Sequence, residues 1–113
     1  MKMVFAAAFL LAFSTFALAK PGDYLCYVTH HTQKDDGSIS SEFVGSNISL
    51  HDSGNSFSVI IAGQKIESPD MEPVVIDGEN ALAGKRGDLT FIKMNDSYTM
   101  RTKNEGYVIN GCE

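Results

Sequence analysis

The chain has 113 residues, is 43% hydrophobic, and carries fourteen acidic against nine basic side chains for a formal net charge of −5. That length accommodates one domain with a small core and excludes two. The acidic balance disfavours binding to a phosphate backbone or an anionic membrane surface.

Lys2, the apolar run from Val4 to Phe13, and the small residues Ala17 and Ala19 form the pattern of a secretory signal peptide with cleavage after Ala19. Residues 1–19 are therefore expected to be the leader and residues 20–113 a single β domain. An uncleaved anchor is the alternative, since Met3 to Ala19 approaches the length that spans a bilayer. Lys20-Pro21-Gly22-Asp23 argues against it, because that segment reads as a processing site and not as a stop-transfer flank. No other segment could span a membrane, and no cysteine follows the apolar run directly, as a lipid anchor would need. Loss of Lys2 with the leader leaves eight basic against fourteen acidic residues, a net charge of −6.

After the leader, short strands alternate with turns about every ten residues, the spacing of an all-β barrel or sandwich. Asp23 to Thr32 is the first strand, with Tyr24, Cys26, Val28 and His30 on one face and Leu25, Tyr27, Thr29 and His31 on the other. Lys34 to Ser38 is a turn built on Asp35-Asp36-Gly37. Weak strands follow at Ile39 to Val44 and Asn47 to Leu50, then a turn at His51 to Asn55. Phe57 to Ala62 is rich in β-branched residues and reads as a central strand, with Phe57, Val59 and Ile61 as its core residues. A hairpin at Ala62-Gly63-Gln64 returns the chain through Ile66. Ser68 to Pro73 is the longest expected loop, because neither Pro69 nor Pro73 can donate to a ladder.

Val74 to Ile76 resumes as a strand, Asp77-Gly78 turns, and Ala81 to Gly84 is expected as a short edge element. Leu89 to Met94, Tyr98 to Thr102 and Tyr107 to Asn110 should form an antiparallel meander. In its first strand Leu89, Phe91 and Lys93 share one face while Thr90, Ile92 and Met94 share the other, so parity alone leaves the core side open. The expected architecture is thus a small antiparallel β-barrel or sandwich of about seven or eight short strands, with closure removing exposed edges.

The two cysteines, Cys26 and Cys112, lie near opposite ends of the expected mature chain. In an oxidising compartment they should pair, closing nearly the whole domain in a loop worth about 4–5 kcal/mol in the chain-entropy model. Neither belongs to a Cys-x-x-Cys pair nor has an adjacent basic residue, which argues against a redox or nucleophilic role.

Chemistry near neutral pH would have to come from His30, His31 or His51. Adjacent His30 and His31 on a strand face opposite ways, so at most one could join His51, and a metal would need a further ligand from Asp35, Asp36 or Asp52. His51-Asp52-Ser53 has the letters of a catalytic triad, but neighbours in a tight turn do not align nucleophile, base and orienter. The acidic stretch Glu67, Asp70, Glu72, Asp77 and Glu79 lacks the spacing of a calcium loop and reads as a solvated rim able to guide a cationic partner.

Lys85, Arg86 and Asp88 are the candidate partner-binding residues. Arg86-Gly87-Asp88 matches the integrin-recognition tripeptide within an expected exposed glycine turn, where the turn by itself is sufficient reason for the sequence. Asn47-Ile48-Ser49 and Asn95-Asp96-Ser97 match the glycosylation acceptor pattern, which has meaning only in a eukaryotic secretory pathway.

Tyr24-Leu25-Cys26, Gly87-Asp88-Leu89-Thr90-Phe91 and Cys112 together resemble the inhibitors of c-type lysozyme, small exported β-barrels with a Tyr-x-Cys near the mature start and a cysteine near the end. The family's Ser-Gly-x-x-Tyr motif falls on Ala83-Gly84-Lys85-Arg86-Gly87, where its Ser and Tyr are missing, and Ile92-Lys93-Met94-Asn95 lacks the Trp-x-Lys-Gly segment. No inhibitory residue carries over.

The functional expectation is a monomeric, non-enzymatic binding protein, periplasmic or secreted. It would work through exposed loops on a protein or small-molecule ligand, with no cofactor, nucleic acid or membrane. The alternatives are an inhibitor of a cationic wall-degrading enzyme, and a small secreted hydrolase or metal-binding protein using His30 or His31 with His51.

Overall fold

The computed structural model describes residues 18–113, so the expected leader, apart from Leu18 and Ala19, lies outside the described residues. The described chain is all-β, one antiparallel sheet curled into a half-barrel. Nine strands follow one another: β1 Gly22–Gln33, β2 Ile39–Asp52, β3 Phe57–Ile61, β4 Gln64–Glu67, β5 Glu72–Ile76, β6 Glu79–Arg86, β7 Leu89–Met94, β8 Ser97–Arg101 and β9 Glu105–Asn110. Their spatial order is β4-β3-β2-β1-β9-β8-β7-β6-β5. The C-terminal meander forms as expected, and β9 returns to pair with β1. No helix of the described residues is long and apolar enough to cross a membrane.

Local chemistry explains most of the turns. At Ala62-Gly63 and Asp77-Gly78 both central residues have positive φ, the tight hairpin geometry whose twist matches the flanking strands and whose second position suits glycine. Three sequence expectations are corrected. The two weak strands at Ile39–Val44 and Asn47–Leu50 are one fourteen-residue strand, β2. Its register against β1 slips twice around Val28, so two extra residues are absorbed as bulges, one of them at the positive-φ Asn47. This continuation carries His51 and Asp52 into β2 and leaves the turn to Ser53–Ser56, closed by the Ser53 amide donating to the Ser56 carbonyl at 2.9 Å.

Second, Ala81–Gly84 is not an edge element. It belongs to β6, paired on both sides by β5 and β7, and Pro73 sits in the true edge strand β5, where its missing donor faces no partner. Third, the sheet does not close by hydrogen bonding. β4 and β5 remain its edges, and the segment between them acts as a strap. The Ser68 amide donates to the Phe57 carbonyl at 2.8 Å, the Met71 amide to the Asn55 carbonyl at 2.7 Å, and Met71 is buried. A Cβ on Gly84 would lie 3.1–3.3 Å from Pro69, the Asp70 carbonyl and Met71, so the strap rests directly on β6 where side chains would lift it off. The Arg86 guanidinium donates to the Glu67 carbonyl, tying β6 to the end of β4.

The core lies inside the curl. Phe57, Val59 and Ile61 are all buried as expected, together with Cys26, Val28, Leu50, Phe91, Tyr98, Met100 and Ile109. Phe57 from one half of the sheet meets Phe91 and Tyr98 from the other, with ring centroids 6.0 and 4.9 Å apart. The face parity left open at β7 is settled: Phe91 and Lys93 point inward, and Leu89 packs partly against the core.

Lys93 is buried because it meets Asp52. Its Nζ lies 2.8 Å from Asp52 Oδ2 and 3.1 Å from Oδ1, and it donates to the Gly54 carbonyl at 3.0 Å. Asp52 also accepts from the Tyr98 hydroxyl at 2.6 Å and the Gly54 amide at 2.7 Å. The side chains of Lys93 and Asp52 are 3% and 0% exposed, and no buried side-chain polar atom among the described residues lacks a partner. Burial first, and then the hydrogen bond and charge of Asp52, push the Tyr98 phenol well above its ordinary value.

Cys26 and Cys112 form the expected disulfide, closing 86 positions of sequence. Beyond it, Leu25 and Glu113 exchange two backbone hydrogen bonds at 2.9 and 3.0 Å, so the chain end is stitched to β1.

Three outcomes follow from this packing. Cys112→Ala should lower stability by about 2–5 kcal/mol in oxidising buffer, read as a reduced urea midpoint, and reductant should bring the parent protein to the same value. Lys93→Met should cost about 3–5 kcal/mol by leaving the Asp52 charge buried without its cation, and adding Asp52→Asn should recover part of that loss in a double-mutant cycle. Tyr98→Phe should cost about 1.5–3 kcal/mol at neutral pH by deleting a hydrogen bond to a charged group. The unfolded phenol ionises near pH ~10 and the folded one higher, so the parent's advantage is full below that value and declines above it. The gap between the urea midpoints of the two proteins should therefore stay constant up to about pH 9 and narrow progressively above about pH 10.

Candidate functional site

The buried Asp52–Lys93–Tyr98 cluster has every donor and acceptor engaged inside the protein, so it offers no group to a ligand. The histidines occupy separate positions. His30, on the inner side of β1, lies 3.0 Å from Glu105 and 3.8 Å from Glu42, and its ring packs on Tyr107 at 4.9 Å. His31, on the outer side, is held between the hydroxyls of Thr29 at 2.9 Å and Ser41 at 2.8 Å. His51 pairs with Asp23 at 2.7 Å on the exposed surface. His51 and Asp52 are neighbours in one strand and face opposite ways, which separates the triad-like letters by a strand alternation and not by the tight turn expected.

The candidate metal ligands do not converge either. Asp36 accepts from the Ser38 hydroxyl at 2.6 Å and the Ser38 amide at 2.9 Å, bonds that hold its carboxyl below the ordinary range, the hydroxyl contributing most. Among the described residues no three His, Cys, Asp or Glu side chains are placed to hold a metal ion. Asn47 sits at a β2 bulge and Asn95 in the β7–β8 turn, both exposed and both at positive φ.

One concavity with free polar groups lies on the outer face, at the end of the sheet carrying the β6–β7 and β8–β9 turns. Residues directly opposite across a ladder point the same way. The pairs Lys85↔Thr90, Thr90↔Arg101, Arg101↔Gly106, Gly106↔His31 and His31↔Ser41 therefore make one continuous outward row across six strands. Gly106 leaves a gap in that row. A Cβ there would come within 2.7 Å of Arg101 Cβ and 2.8 Å of the Met100 carbonyl, so only glycine lets β8 and β9 approach as they do.

Arg101 stands between two hollows. On one side Lys85, Asp88, Thr90, Lys103 and Asn104 line an open hollow of about 790 Å³. On the other, His31, Gln33, Ile39, Thr99 and Val108 line a shallower one of about 230 Å³ with an apolar floor. The walls are held by backbone: the Thr102 amide donates to the Glu105 carbonyl at 2.8 Å, and the Gln33 amide to the Asn104 carbonyl at 2.7 Å. The same outer face exposes Leu25, Tyr27, Ile39 and Phe43, each at least half accessible.

Of the three partner-binding residues expected from sequence, Lys85 and Asp88 thus line the larger hollow. Arg86 points the other way and is spent on the Glu67 carbonyl, as strand alternation requires of the residue after Lys85. Arg101 and Lys103 escaped the sequence reading because they lie fifteen or more residues beyond Lys85, and the only signal was that Arg101 alternates with the core residues Tyr98 and Met100. Comparison with protein-family models, with curated proteins and with solved structures finds no match for this chain.

Proposed function

We propose that the protein is a small, exported, non-enzymatic binding protein that takes its ligand in the outer-face groove around Arg101. The observation that carries this reading is the row Lys85–Thr90–Arg101–Gly106, which places unspent polar and cationic groups along a preformed concavity on rigid strands. Binding needs only such a scaffold, whereas catalysis needs reactive groups that converge, and each histidine here is engaged by its own neighbours. The Cys26–Cys112 bond supports an oxidising compartment outside the cytoplasm as the place of action.

The test is retention of ligand from an extracytoplasmic extract by the immobilised, oxidised domain, in parallel with Thr90→Trp. The tryptophan fills the hollow from the floor strand without touching the core. Components held by the parent and lost with Thr90→Trp, at unchanged thermal midpoint, support the reading. Equal retention by both proteins, or turnover of a retained component, overturns it.

A further inference from the structure

Among the described residues, none of the three cations of the groove forms an ion pair. Of the described lysines and arginines only Lys65 and Lys93 pair with a carboxylate, Lys65 with Glu67 at 3.3 Å and Lys93 with Asp52; Lys20, Lys34 and Arg86 form no ion pair either, but Lys85, Arg101 and Lys103 are the three unpaired cations that share one hollow. This holds in a chain with fourteen acids against nine bases, where a basic group has more acids than bases to meet. All three side chains are exposed and line one hollow, and Asp88 is the single carboxylate lining it with them. Thr90 and Asn104, which line the same hollow, make no side-chain hydrogen bond among the described residues and are available as neutral donors. Lys85 and Arg101 spring from β6 and β8, two strand spacings or about 10 Å apart at the backbone, with Thr90 on the strand between them.

We infer that this hollow binds a small, multiply charged oxyanion, a soluble ligand presenting two or more phosphate or carboxylate groups; the inference rests on the groove being the binding site. Three cations against one carboxylate leave an excess of two positive charges, so a singly charged anion engages only part of the site. A ligand with several anionic groups reaches Lys85 and Arg101 together, with the guanidinium supplying paired donors and the two ammoniums point charges. The rest of the surface sets the size. The net negative charge of the protein opposes the approach of an extended polyanion or an anionic membrane, so the field favours a compact ligand that fits within this hollow.

The experiment is calorimetric titration of the oxidised domain at low salt with tripolyphosphate, citrate and acetate. Vesicles containing phosphatidylglycerol form a separate sedimentation arm. Saturable binding of tripolyphosphate or citrate is expected, with acetate at least about tenfold weaker, no sedimentation with vesicles, and a loss of about tenfold or more in Lys85→Gln/Arg101→Gln/Lys103→Gln. These exposed positions should leave the thermal midpoint essentially unchanged. No saturable binding of either multivalent anion, equal binding by the triple variant, or vesicle binding as strong as that of the soluble anions would overturn the inference. A ligand from the extract that is lost with Thr90→Trp but held normally by the triple glutamine variant would leave the binding function standing and remove the anion assignment alone.

Discussion

The half-barrel depends on one charged contact made where charge is costly. Asp52 ends β2, Lys93 lies in β7, and these strands are separated by β1, β9 and β8 in the sheet, so their ion pair crosses the inside of the curl. Isolated, either charge would be strongly disfavoured in that interior. Together, with Tyr98 and the Gly54 backbone completing their hydrogen bonds, they are tolerated only in the geometry that brings the two halves of the sheet face to face. The contribution is therefore more to specifying the curl than to raw stability, because an apolar pair of similar volume would fill the space without demanding one register.

Two further devices hold what the ion pair aligns. The disulfide and the Leu25–Glu113 backbone bonds fix the chain ends to each other along β1, which lies at the middle of the sheet and not at an edge. The Ser68–Met71 strap covers the side where β4 and β5 fail to pair. Proline on both sides of Met71 makes a regular ladder impossible there, and the buried Met71 with the bare backbone of Gly84 replaces it by packing. The consequence is a sheet with two short edge strands, β4 carrying Lys65 and Glu67 and β5 carrying Glu72 and Pro73, charges and a proline that oppose edge-to-edge association.

With the inner face committed to the core, the outer face is left to meet ligands. Ladder pairing places Lys85, Arg101 and His31 in one row although they come from widely separated parts of the chain, and Gly106 opens the floor between the last two. The hollow is thus a product of register: a slip of one residue in β8 would turn Arg101 inward and Met100 outward, losing core and groove together.

The sequence by itself determined the all-β class, most strand positions, the core role of Phe57, Val59 and Ile61, the meander and the cysteine pair, because alternation, turn residues and a lone pair of cysteines act locally or admit one solution. It grouped Lys85 and Asp88 in one expected exposed turn from Gly84 to Asp88, whereas Lys85 lies in β6 and only Gly87 and Asp88 make the turn. Tertiary structure alone decided that β2 runs through its bulges, that β6 is interior, that the sheet stays a half-barrel, and that Arg101 and Lys103 join Lys85. Asp52 alternating with Leu50, and Lys93 with Phe91, were the one trace of the buried pair, two opposite charges at core positions. Neither could be matched to the other from sequence, since the partner of a buried charge is set by which strands the curl brings across from each other, and no local pattern encodes that distance.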